Sequence, residues 1–342
     1  GEKDIMEGQK FESPVPPYFD EAEISWSPDG KHIAYTTKRL RGKEDAVSTN
    51  SDIFLYDIST GNEINISEGG IGFDRYPVFS PDGSKIAYQS MERDGYESDL
   101  DRLFVYDISG GTRSWVTEGW TYDVSAINWA DENTLFFSCA HHGTAQVFRT
   151  SLTGKEVSKV TEGVHDLSAL SFRSGILVAQ QNSMSMAPEV AKVDVNTGEV
   201  RQISFINRPI YESIKMGRVA EKYIKTKDRK DLQMWIIYPP DFDPSKKYPA
   251  LLFCEGGPQS ALTQFWSFRW NFQIMAANGY IVFAPNRRGV AGFGQEWKEQ
   301  ISGDYGGLNM QDYLDATDAM AKEPYVDASR LGAVGASYGG YS

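Results

Sequence analysis

The stretch Arg330-Leu331-Gly332-Ala333-Val334-Gly335-Ala336-Ser337-Tyr338-Gly339-Gly340 places the pattern Gly-x-Ser-x-Gly directly after a short apolar run. A run of this length is typical of a buried parallel strand. The pattern itself is typical of a sharp strand-to-helix turn that presents a nucleophilic serine, with small neighbours that let the backbone bend. The stretch therefore predicts Ser337 as a nucleophile, and the alternative is an ordinary glycine-rich turn.

The region before this turn alternates between strand-like and helix-like segments. Beyond a polar connector at 211–231, the patterns predict strands at 232–238, 249–254, 280–284 and 331–335, and helices at 268–278 and 308–322. Such alternation implies a parallel sheet with helices on both faces. The order of elements is the one that an α/β-hydrolase domain needs, and we assign residues 208–342 to the N-terminal part of such a domain.

A glycine-rich loop follows the predicted strand 249–254. In the α/β-hydrolase fold, an oxyanion hole uses the backbone N–H after the nucleophile and a second N–H from a loop at this position. Here these would come from Tyr338 and from the loop Glu255-Gly256-Gly257-Pro258. The pairing of this loop with the turn at Ser337 favours a catalytic site over two unrelated turns.

The first half of the chain is repetitive. Ser27-Pro28-Asp29-Gly30 and Ser80-Pro81-Asp82-Gly83 each stand between apolar segments, as type I turns of hairpins do. Weaker copies follow, and the aromatic anchors of the four copies step by 53, 50 and 43 residues: Trp26, Phe79, Trp129 and Phe172. Each unit ends in a similar Ser/Thr-Glu-Gly tail, at 67–69, 117–119 and 161–163. Four strands in a period near 45 residues are typical of β-propeller blades.

We therefore expect residues 1–207 to form an incomplete β-propeller with about four whole blades. A further copy of the tail, Ile5-Met6-Glu7-Gly8, reads as the end of an earlier blade. The repeat and the turn at Ser337 together predict that the chain is a fragment cut at both ends.

The composition excludes several classes of function. A net charge of −13 argues against nucleic-acid binding, which needs a basic surface. The longest apolar runs, 250–254 and 280–284, are too short to span a membrane. Cys139 and Cys254 form no disulfide or metal pattern and are predicted to be buried thiols. The pair His141-His142 is predicted to lie in a hairpin loop, and no metal site is expected.

Two groups of carboxylates were candidates for a role in binding or catalysis. The acidic segment 91–102 is either a solvated loop or the place where Glu97, Asp99 or Asp101 pairs with the ammonium group of a peptide. The helix 308–322 carries a predicted core face and three aspartates expected to be solvated: Met310, Leu314, Thr317 and Met320 on that face, and Asp312, Asp315 and Asp318 in solvent.

The ordered set of motifs resembles the prolyl oligopeptidase family of serine peptidases, within it the dipeptidyl-peptidase and acylaminoacyl-peptidase types. The motifs are the propeller repeats, 255–259 (Glu-Gly-Gly-Pro-Gln), 286–289 (Asn-Arg-Arg-Gly), 292–294 (Gly-Phe-Gly), 303–307 (Gly-Asp-Tyr-Gly-Gly) and 335–340. The resemblance covers nearly the whole chain. It implies a propeller that caps an α/β-hydrolase domain.

The resemblance also implies an activity and a site. It implies release of dipeptides or acyl-amino acids from the N-termini of short peptides, with an acyl-enzyme on Ser337 and an oxyanion held by the backbone N–H groups of Gly257 and Tyr338. Arg288 is carried over as a substrate-binding residue. Glu255 departs from the family pattern, which often has tyrosine or histidine at this position. A tyrosine hydroxyl could join the oxyanion hole, whereas a glutamate carboxylate would repel an oxyanion. No cofactor is expected, and the resemblance implies a periplasmic or secreted protein; a homodimer is retained as one oligomeric state.

In α/β-hydrolases the triad runs in the chain order serine, acid, histidine. We therefore expect the triad aspartate and histidine, and the specificity pocket, beyond Ser342, and we expect residues 1–342 alone to be inactive. Two alternatives to a serine exopeptidase stay open at this stage. One is a carboxylesterase on the same scaffold, and the other is a non-catalytic propeller protein that binds a partner.

Overall fold

The computed structural model describes residues 4–16 and 19–342. The chain divides into two compact units. The first comprises Gly1–Phe137, Phe148–Ser158 and Phe172–Gly175, and the second comprises Ser138–Val147, Lys159–Ser171 and Ile176–Ser342. Of the predicted blade end at 1–8, residues 1–3 lie outside the described residues, and residues 5–8 form a turn. The predicted domain boundary between residues 207 and 208 stays a prediction.

The first two repeats each form a four-stranded antiparallel sheet, as predicted. After a short 3-10 helix at Glu21–Glu23, the first sheet has the order β1-β2-β3-β4, and a helix α1 lies between its second and third strands. The second sheet has the order β5-β6-β7-β8. Their bounds are β1 Ile24–Trp26, β2 His32–Thr37, α1 Lys43–Val47, β3 Asp52–Asp57, β4 Glu63–Asn65, β5 Asp74–Phe79, β6 Lys85–Ser90, β7 Arg102–Asp107 and β8 Thr112–Trp115.

The third and fourth repeats contribute eight strands to a single sheet. The two groups of four meet where β11 and β13 run parallel, with Ala145 opposite Asp166. No sheet closes on itself in the described part of the chain. The bounds are β9 Ser125–Trp129, β10 Thr134–His141, β11 Thr144–Ser151, β12 Ser158–Lys159, β13 Asp166–Arg173, β14 Ile176–Ser183, β15 Met186–Val193 and β16 Val200–Gln202.

The repeated turn owes its sequence to backbone geometry. The Gly30 N–H donates to the Ser27 carbonyl at 2.9 Å, and Gly83 does the same to Ser80 at 2.9 Å. Both glycines have positive φ, +71° and +74°, which side chains other than glycine disfavour. The serine hydroxyl of the turn also donates to the aspartate, at 2.8 Å from Ser27 to Asp29. The serine, the aspartate and the glycine of the motif therefore each have a defined hydrogen-bonding role.

The repeated tail also has a physical reason. Its hydroxyl accepts a hydrogen bond from a buried backbone N–H at the start of the third strand in three successive repeats. The pairs are Ile53 N–H to Ser67 Oγ at 3.0 Å, Leu103 N–H to Thr117 Oγ1 at 3.1 Å and Val147 N–H to Thr161 Oγ1 at 3.0 Å. A buried N–H without a partner would cost about 1–3 kcal/mol, which explains why the repeat keeps a hydroxyl here.

The core of the first unit lies between the first two sheets. Its buried apolar side chains come from alternate positions of β2, β3, β5, β6 and β7, as the period of two in a strand requires. They include Ala34, Ile53, Leu55, Ile66, Phe79, Ile86, Tyr88 and Tyr106.

The second unit contains a five-stranded sheet of order β17-β18-β20-β19-β21. β19 is parallel to β20 and to β21, as predicted, whereas β17–β18 and β18–β20 are antiparallel, so the sheet is mixed where a parallel sheet was predicted. The predicted connector 211–231 contains a strand. The bounds are α2 Arg208–Ser213, β17 Val219–Lys225, β18 Asp231–Ile237, β19 Tyr248–Cys254, α3 Phe272–Ala277, β20 Ile281–Pro285, α4 Gln295–Glu299, α5 Leu308–Ala321, β21 Val326–Gly335 and α6 Tyr338–Tyr341.

Helices cover both faces of this sheet. α5 packs Tyr313, Ala316 and Met320 on one face, and α3 packs Phe272 and Ala276 on the other. The predicted core face of α5 was wrong in part, because Leu314 is 58% exposed while Asp312 is fully buried. Within the described residues, no helix combines the length and the apolar character that spanning a bilayer requires.

Candidate active site

Ser337 lies in the turn between β21 and α6. Its backbone has φ 55° and ψ −125°, a conformation that is strained for a residue with a side chain. Two glycines make the tight turn sterically feasible. A Cβ on Gly335 would lie 2.5 Å from the Gly339 carbonyl oxygen, and one on Gly339 would lie 2.1 Å from the Cys254 carbonyl oxygen. The glycines of Gly-x-Ser-x-Gly are therefore required by backbone contacts on both sides of the serine.

Tyr338, the residue after Ser337, is fixed by contacts of its side chain. The Tyr338 hydroxyl donates to the Tyr305 carbonyl at 2.6 Å and accepts a hydrogen bond from the Asn309 side-chain amide. Its ring meets the Tyr305 ring edge-on, with 5.4 Å between centroids, and the Arg287 guanidinium carbon lies 4.8 Å from its centroid. These contacts bury Tyr338 and fix the start of α6, and with it the backbone N–H that follows Ser337.

The loop 255–258 adjoins the nucleophile. It begins where β19 ends beside β21, with Cys254 paired to Gly335. A Cβ on Gly256 would lie 3.1 Å from the Ala336 carbonyl oxygen and 3.7 Å from the Ser337 Cβ. Gly257 has φ +118°, where an added Cβ would lie 2.7 Å from the Ser260 nitrogen. The structure thus brings the two predicted parts of the site together, and the assignment of the Gly257 and Tyr338 N–H groups as oxyanion donors stays a prediction.

A cavity of about 450 Å³ opens beside Ser337. Four aromatic side chains line it together with polar groups that include the Glu255 carboxyl, the Arg269 guanidinium and the Ser337 hydroxyl. The lining includes Phe253, Glu255, Gly256, Gly257, Phe265, Trp266, Arg269, Trp270 and Ser337. Sequence reasoning missed this cavity, although four aromatic residues within 265–270 are an unusual density that could have indicated an apolar wall.

Two ionisable groups lie close to the turn at Ser337 and Tyr338. Burial raises the pKa of Glu255 to about 7, although the Arg287 charge and the Gly256 N–H act in the opposite direction. Arg287 is fully buried, and no carboxylate of the described residues lies within ion-pairing distance of its guanidinium. It donates to Tyr313 Oη at 3.3 Å and to the Arg288 carbonyl at 2.9 Å, while its Nη2 has no partner.

Arg288, carried over as a substrate-binding residue, lies in the interior. Its side chain is 1% exposed, and its Nη2 lies 2.8 Å from Asp312 Oδ1 while its Nη1 lies 2.7 Å from Asp228 Oδ2. These bonds hold the pKa of Asp228 well below its usual range. Because two carboxylates occupy its guanidinium, Arg288 ties α5 to the loop after β20, and we leave it out of the substrate-binding surface.

The acidic loop lies in the first unit. Asp99 is buried and pairs with Arg93 at 2.7 Å, and Asp101 pairs with Arg75 at 3.0 Å. Glu97 is exposed and lines a separate cavity of about 330 Å³. Of the three predicted amine-binding carboxylates, Asp99 is thus paired within the loop and Asp101 is paired with an arginine of β5.

The other candidate residues contribute no further catalytic group. Cys139 and Cys254 are buried thiols and take part in no disulfide, as predicted. Within the described residues, no hydrogen bond joins Ser337 to a histidine and no cluster suited to a metal ion was found. Burial lowers the pKa values of His141, His142 and His165, His141 to about 4.

Comparison with known proteins supports this picture. Residues 21–209 match the TolB beta propeller domain, and residues 266–342 match the prolyl oligopeptidase family. Dipeptidyl-peptidase 5 of Porphyromonas gingivalis is 47% identical over 99% of this chain and 50% of its own length. Dipeptidyl-peptidase 5 of Porphyromonas endodontalis is 45% identical over 99% and 49%. The chain spans about half the length of the curated relatives it matches.

Solved structures show the same fold. Pyrococcus horikoshii acylaminoacyl peptidase superposes with a TM-score of 0.77 at 23% identity, over 93% of this chain and 48% of its own. Porphyromonas gingivalis dipeptidyl peptidase 4 superposes with a TM-score of 0.62 at 20% identity, over 93% and 56%. The predicted fold is therefore confirmed: a β-propeller followed by the N-terminal part of an α/β-hydrolase domain. The chain belongs to the TolB β-propeller proteins, whose model matches residues 21–209, and its residues 266–342 match the prolyl oligopeptidase family.

Proposed function

We propose that the protein to which this chain belongs is a serine exopeptidase that releases dipeptides or acyl-amino acids from the N-termini of short peptides. The observation that carries the proposal is the backbone of Ser337, φ 55° and ψ −125°, in a turn against which Gly256 packs. A strained turn that exposes a serine beside a glycine loop is costly, and such strain is typically kept where it serves catalysis. The binding-protein alternative gives no reason for keeping it.

The proposed chemistry follows from the geometry. Ser337 Oγ attacks the carbonyl carbon of the substrate, and its proton passes to a general base, which we propose comes from residues outside 1–342. The tetrahedral oxyanion accepts hydrogen bonds from the Gly257 and Tyr338 N–H groups. The protonated base then gives its proton to the leaving nitrogen, and collapse of the intermediate releases the amine and leaves an acyl-enzyme. Water then hydrolyses the ester and restores the serine. A lost oxyanion donor typically costs about 3–4 kcal/mol of barrier.

The substrate class rests on the relatives. Those at 45–47% identity carry the name dipeptidyl-peptidase 5, which favours dipeptides with a free amine. The structural neighbour named acylaminoacyl peptidase supports the fold alone. A direct test compares kcat/KM of the full-length protein for a dipeptidyl arylamide, its N-acetylated form and a simple aryl ester.

We expect the free dipeptidyl arylamide to be the best substrate. Preference for the acetylated form would assign acylaminoacyl specificity instead. Hydrolysis of the ester alone would establish the carboxylesterase alternative, and no hydrolysis of any of the three would contradict the proposal.

From the charge and exposure of its side chain alone, with no placement relative to Ser337, we propose Glu97 as the partner for the substrate ammonium group. Asp99 and Asp101 already hold arginines, whereas Glu97 is exposed on a cavity wall. Glu97→Gln should raise KM for the free dipeptidyl arylamide at least about tenfold, because a charge-assisted hydrogen bond contributes about 1.5–3 kcal/mol. Hydrolysis of an aryl ester without an amine serves as the control and should be unchanged. An unaltered KM for the peptide would remove Glu97 from the site.

The remaining proposals concern the setting of the enzyme. An acidic protein of net charge −13 is not expected to bind nucleic acid. We propose, from the family resemblance alone, that the protein is exported to the periplasm or the exterior and that it forms a homodimer. Cell fractionation with antibody detection tests the first, and sedimentation equilibrium of the full-length protein tests the second. Recovery in the cytosolic fraction, or a monomer at micromolar concentration, would contradict them.

A further inference from the structure

The Glu255 carboxyl occupies an unusual position for an acidic side chain. It begins the loop that adjoins the nucleophile and lines the same 450 Å³ cavity as Ser337. The following residue, Gly256, is within a Cβ contact of Ser337. No ion pair within the described residues engages the Glu255 carboxyl, which is partly buried. The backbone N–H of Glu255 donates to Tyr313 Oη at 3.0 Å, so the residue itself is fixed to α5.

The groups that face Glu255 come from four elements. The buried Arg287 guanidinium approaches from the end of β20, the Tyr313 hydroxyl from α5 and the Gly256 N–H from its own loop, and exposed Arg269 lies on the cavity wall. Of these, Arg287 and the Gly256 N–H favour the charged form. Burial disfavours it more strongly, so that the pKa of Glu255 rises to about 7. Both forms of the carboxyl are therefore accessible near neutral pH.

The two forms should act differently on the reaction at Ser337. Attack by Ser337 puts negative charge on the substrate oxygen close to this loop. A carboxylate on the same loop repels that charge, because the partly buried Glu255 is less well screened by water than an exposed carboxylate would be. A carboxylic acid carries no charge and has one O–H to donate, so it does not oppose the oxyanion.

We propose that Glu255 is a proton-dependent part of the oxyanion site, whose uncharged form permits, and whose charged form opposes, the tetrahedral intermediate at Ser337. The inference rests on the proposed function, because it requires Ser337 to be the nucleophile. It goes beyond that function, because it assigns the enzyme a loss of activity toward alkaline pH that the serine and its base do not produce. Arg287 opposes this effect by favouring the charged form.

The test uses the full-length natural protein and an uncharged fluorophosphonate, which has no ionisable group of its own. The second-order rate constant for labelling Ser337 is measured from pH 5.5 to pH 8.5 for the wild type and for Glu255→Gln. The ratio of the variant to the wild type cancels the titration of the shared general base. We expect this ratio to rise about 30-fold across the range, because only about 3% of a group with a pKa of 7 stays protonated at pH 8.5.

A second variant keeps the test independent of how well Glu255→Gln folds. Arg287→Gln removes the cation that favours the carboxylate, so the midpoint of the alkaline loss should move to higher pH. A ratio that is constant with pH, or an unmoved midpoint in Arg287→Gln, would overturn the inference. A ratio that falls with rising pH would also overturn it, since the carboxylate would then be the active form. Absence of labelling in every protein at every pH would refute the proposed function itself, together with the inference.

Discussion

Asp312→Asn tests whether the buried ion pair between Asp312 and Arg288 stabilises the second unit. Asp312 is fully buried and Arg288 nearly so. Asp312 accepts from the Arg288 backbone N–H at 2.8 Å, from Nε at 3.0 Å and, through its other oxygen, from Nη2 at 2.8 Å. An asparagine of the same size keeps one acceptor oxygen, places an amide against a guanidinium and leaves the Arg288 charge with Asp228 as its one partner.

The expected loss can be estimated from these contacts. Removing one partner of a buried pair typically costs about 3–5 kcal/mol, because it leaves a buried charge uncompensated. In the variant, Asp228 still pairs with Arg288 through a carboxylate that is 43% exposed and compensates part of its charge. We therefore expect the lower end of this range, a decrease of about 3 kcal/mol in the free energy of unfolding.

The assay is urea unfolding of the full-length protein at pH 7, followed by tryptophan fluorescence. Asp318→Asn is the matched control, since Asp318 lies on the same helix and is exposed, and it should change the free energy of unfolding by no more than about 0.5 kcal/mol. A loss below about 1 kcal/mol in Asp312→Asn would refute the view that this ion pair stabilises the packing of α5 against the loop after β20.

Three further changes have defined outcomes. Gly339→Ala places a Cβ 2.1 Å from the Cys254 carbonyl oxygen, so it should lower the thermal midpoint and slow fluorophosphonate labelling. In the control Gly340→Ala the nearest atom is 3.7 Å from the added Cβ, so neither quantity should change. Equal behaviour of the two variants would contradict the steric account. Burial raises the pKa of Asp74 to about 6 in the folded protein, so ionising this carboxyl costs up to about 3 kcal/mol of stability, and this loss develops as pH rises from about 4 to 6. Asp74→Asn should abolish the loss, and parallel curves of stability against pH for the two proteins would refute the prediction. Thr117→Val should cost about 1–3 kcal/mol in urea unfolding by leaving a buried N–H of β7 unpaired, and an unchanged midpoint would contradict that reading of the repeated tail.

The parts of the fold that local chemistry determines could be predicted from the sequence. Gly30 and Gly83 adopt positive φ, and the Thr117 hydroxyl accepts a hydrogen bond from the Leu103 N–H of the neighbouring strand. Individual residues of the sequence therefore identify the repeat. The same holds for the turn at Ser337, where Gly335 and Gly339 are required by contacts within a few residues and with one adjacent strand. The propeller, the nucleophile turn and the loop beside it were therefore predicted correctly as elements.

The parts that depend on distant partners could not be predicted. β17 was missed because none of its residues is buried and its charged residues Glu221, Lys222 and Lys225 resemble those of a solvated connector. The core face of α5 was misjudged because Asp312 is buried by Arg288, which is 24 residues away along the chain. Hydrophobic periodicity cannot reveal a charge that is compensated by another segment.

Glu255 shows the same limit at the site. From the sequence, its carboxylate is an obstacle to an oxyanion. The structure adds the burial of Glu255, the nearby charge of Arg287 and the cavity shared with Ser337, and together these make the protonation state of Glu255 a variable of the site. Whether an acidic residue is charged depends on surroundings that only the folded chain supplies.

The central claim is that Ser337 is the nucleophile of a serine hydrolase. Its most direct test is mass spectrometry of the full-length protein after treatment with a fluorophosphonate, beside Ser337→Ala. We predict one stoichiometric adduct, located on the peptide that contains Ser337, and none on the variant. An unlabelled wild-type protein, or an adduct that persists in Ser337→Ala, would contradict the account.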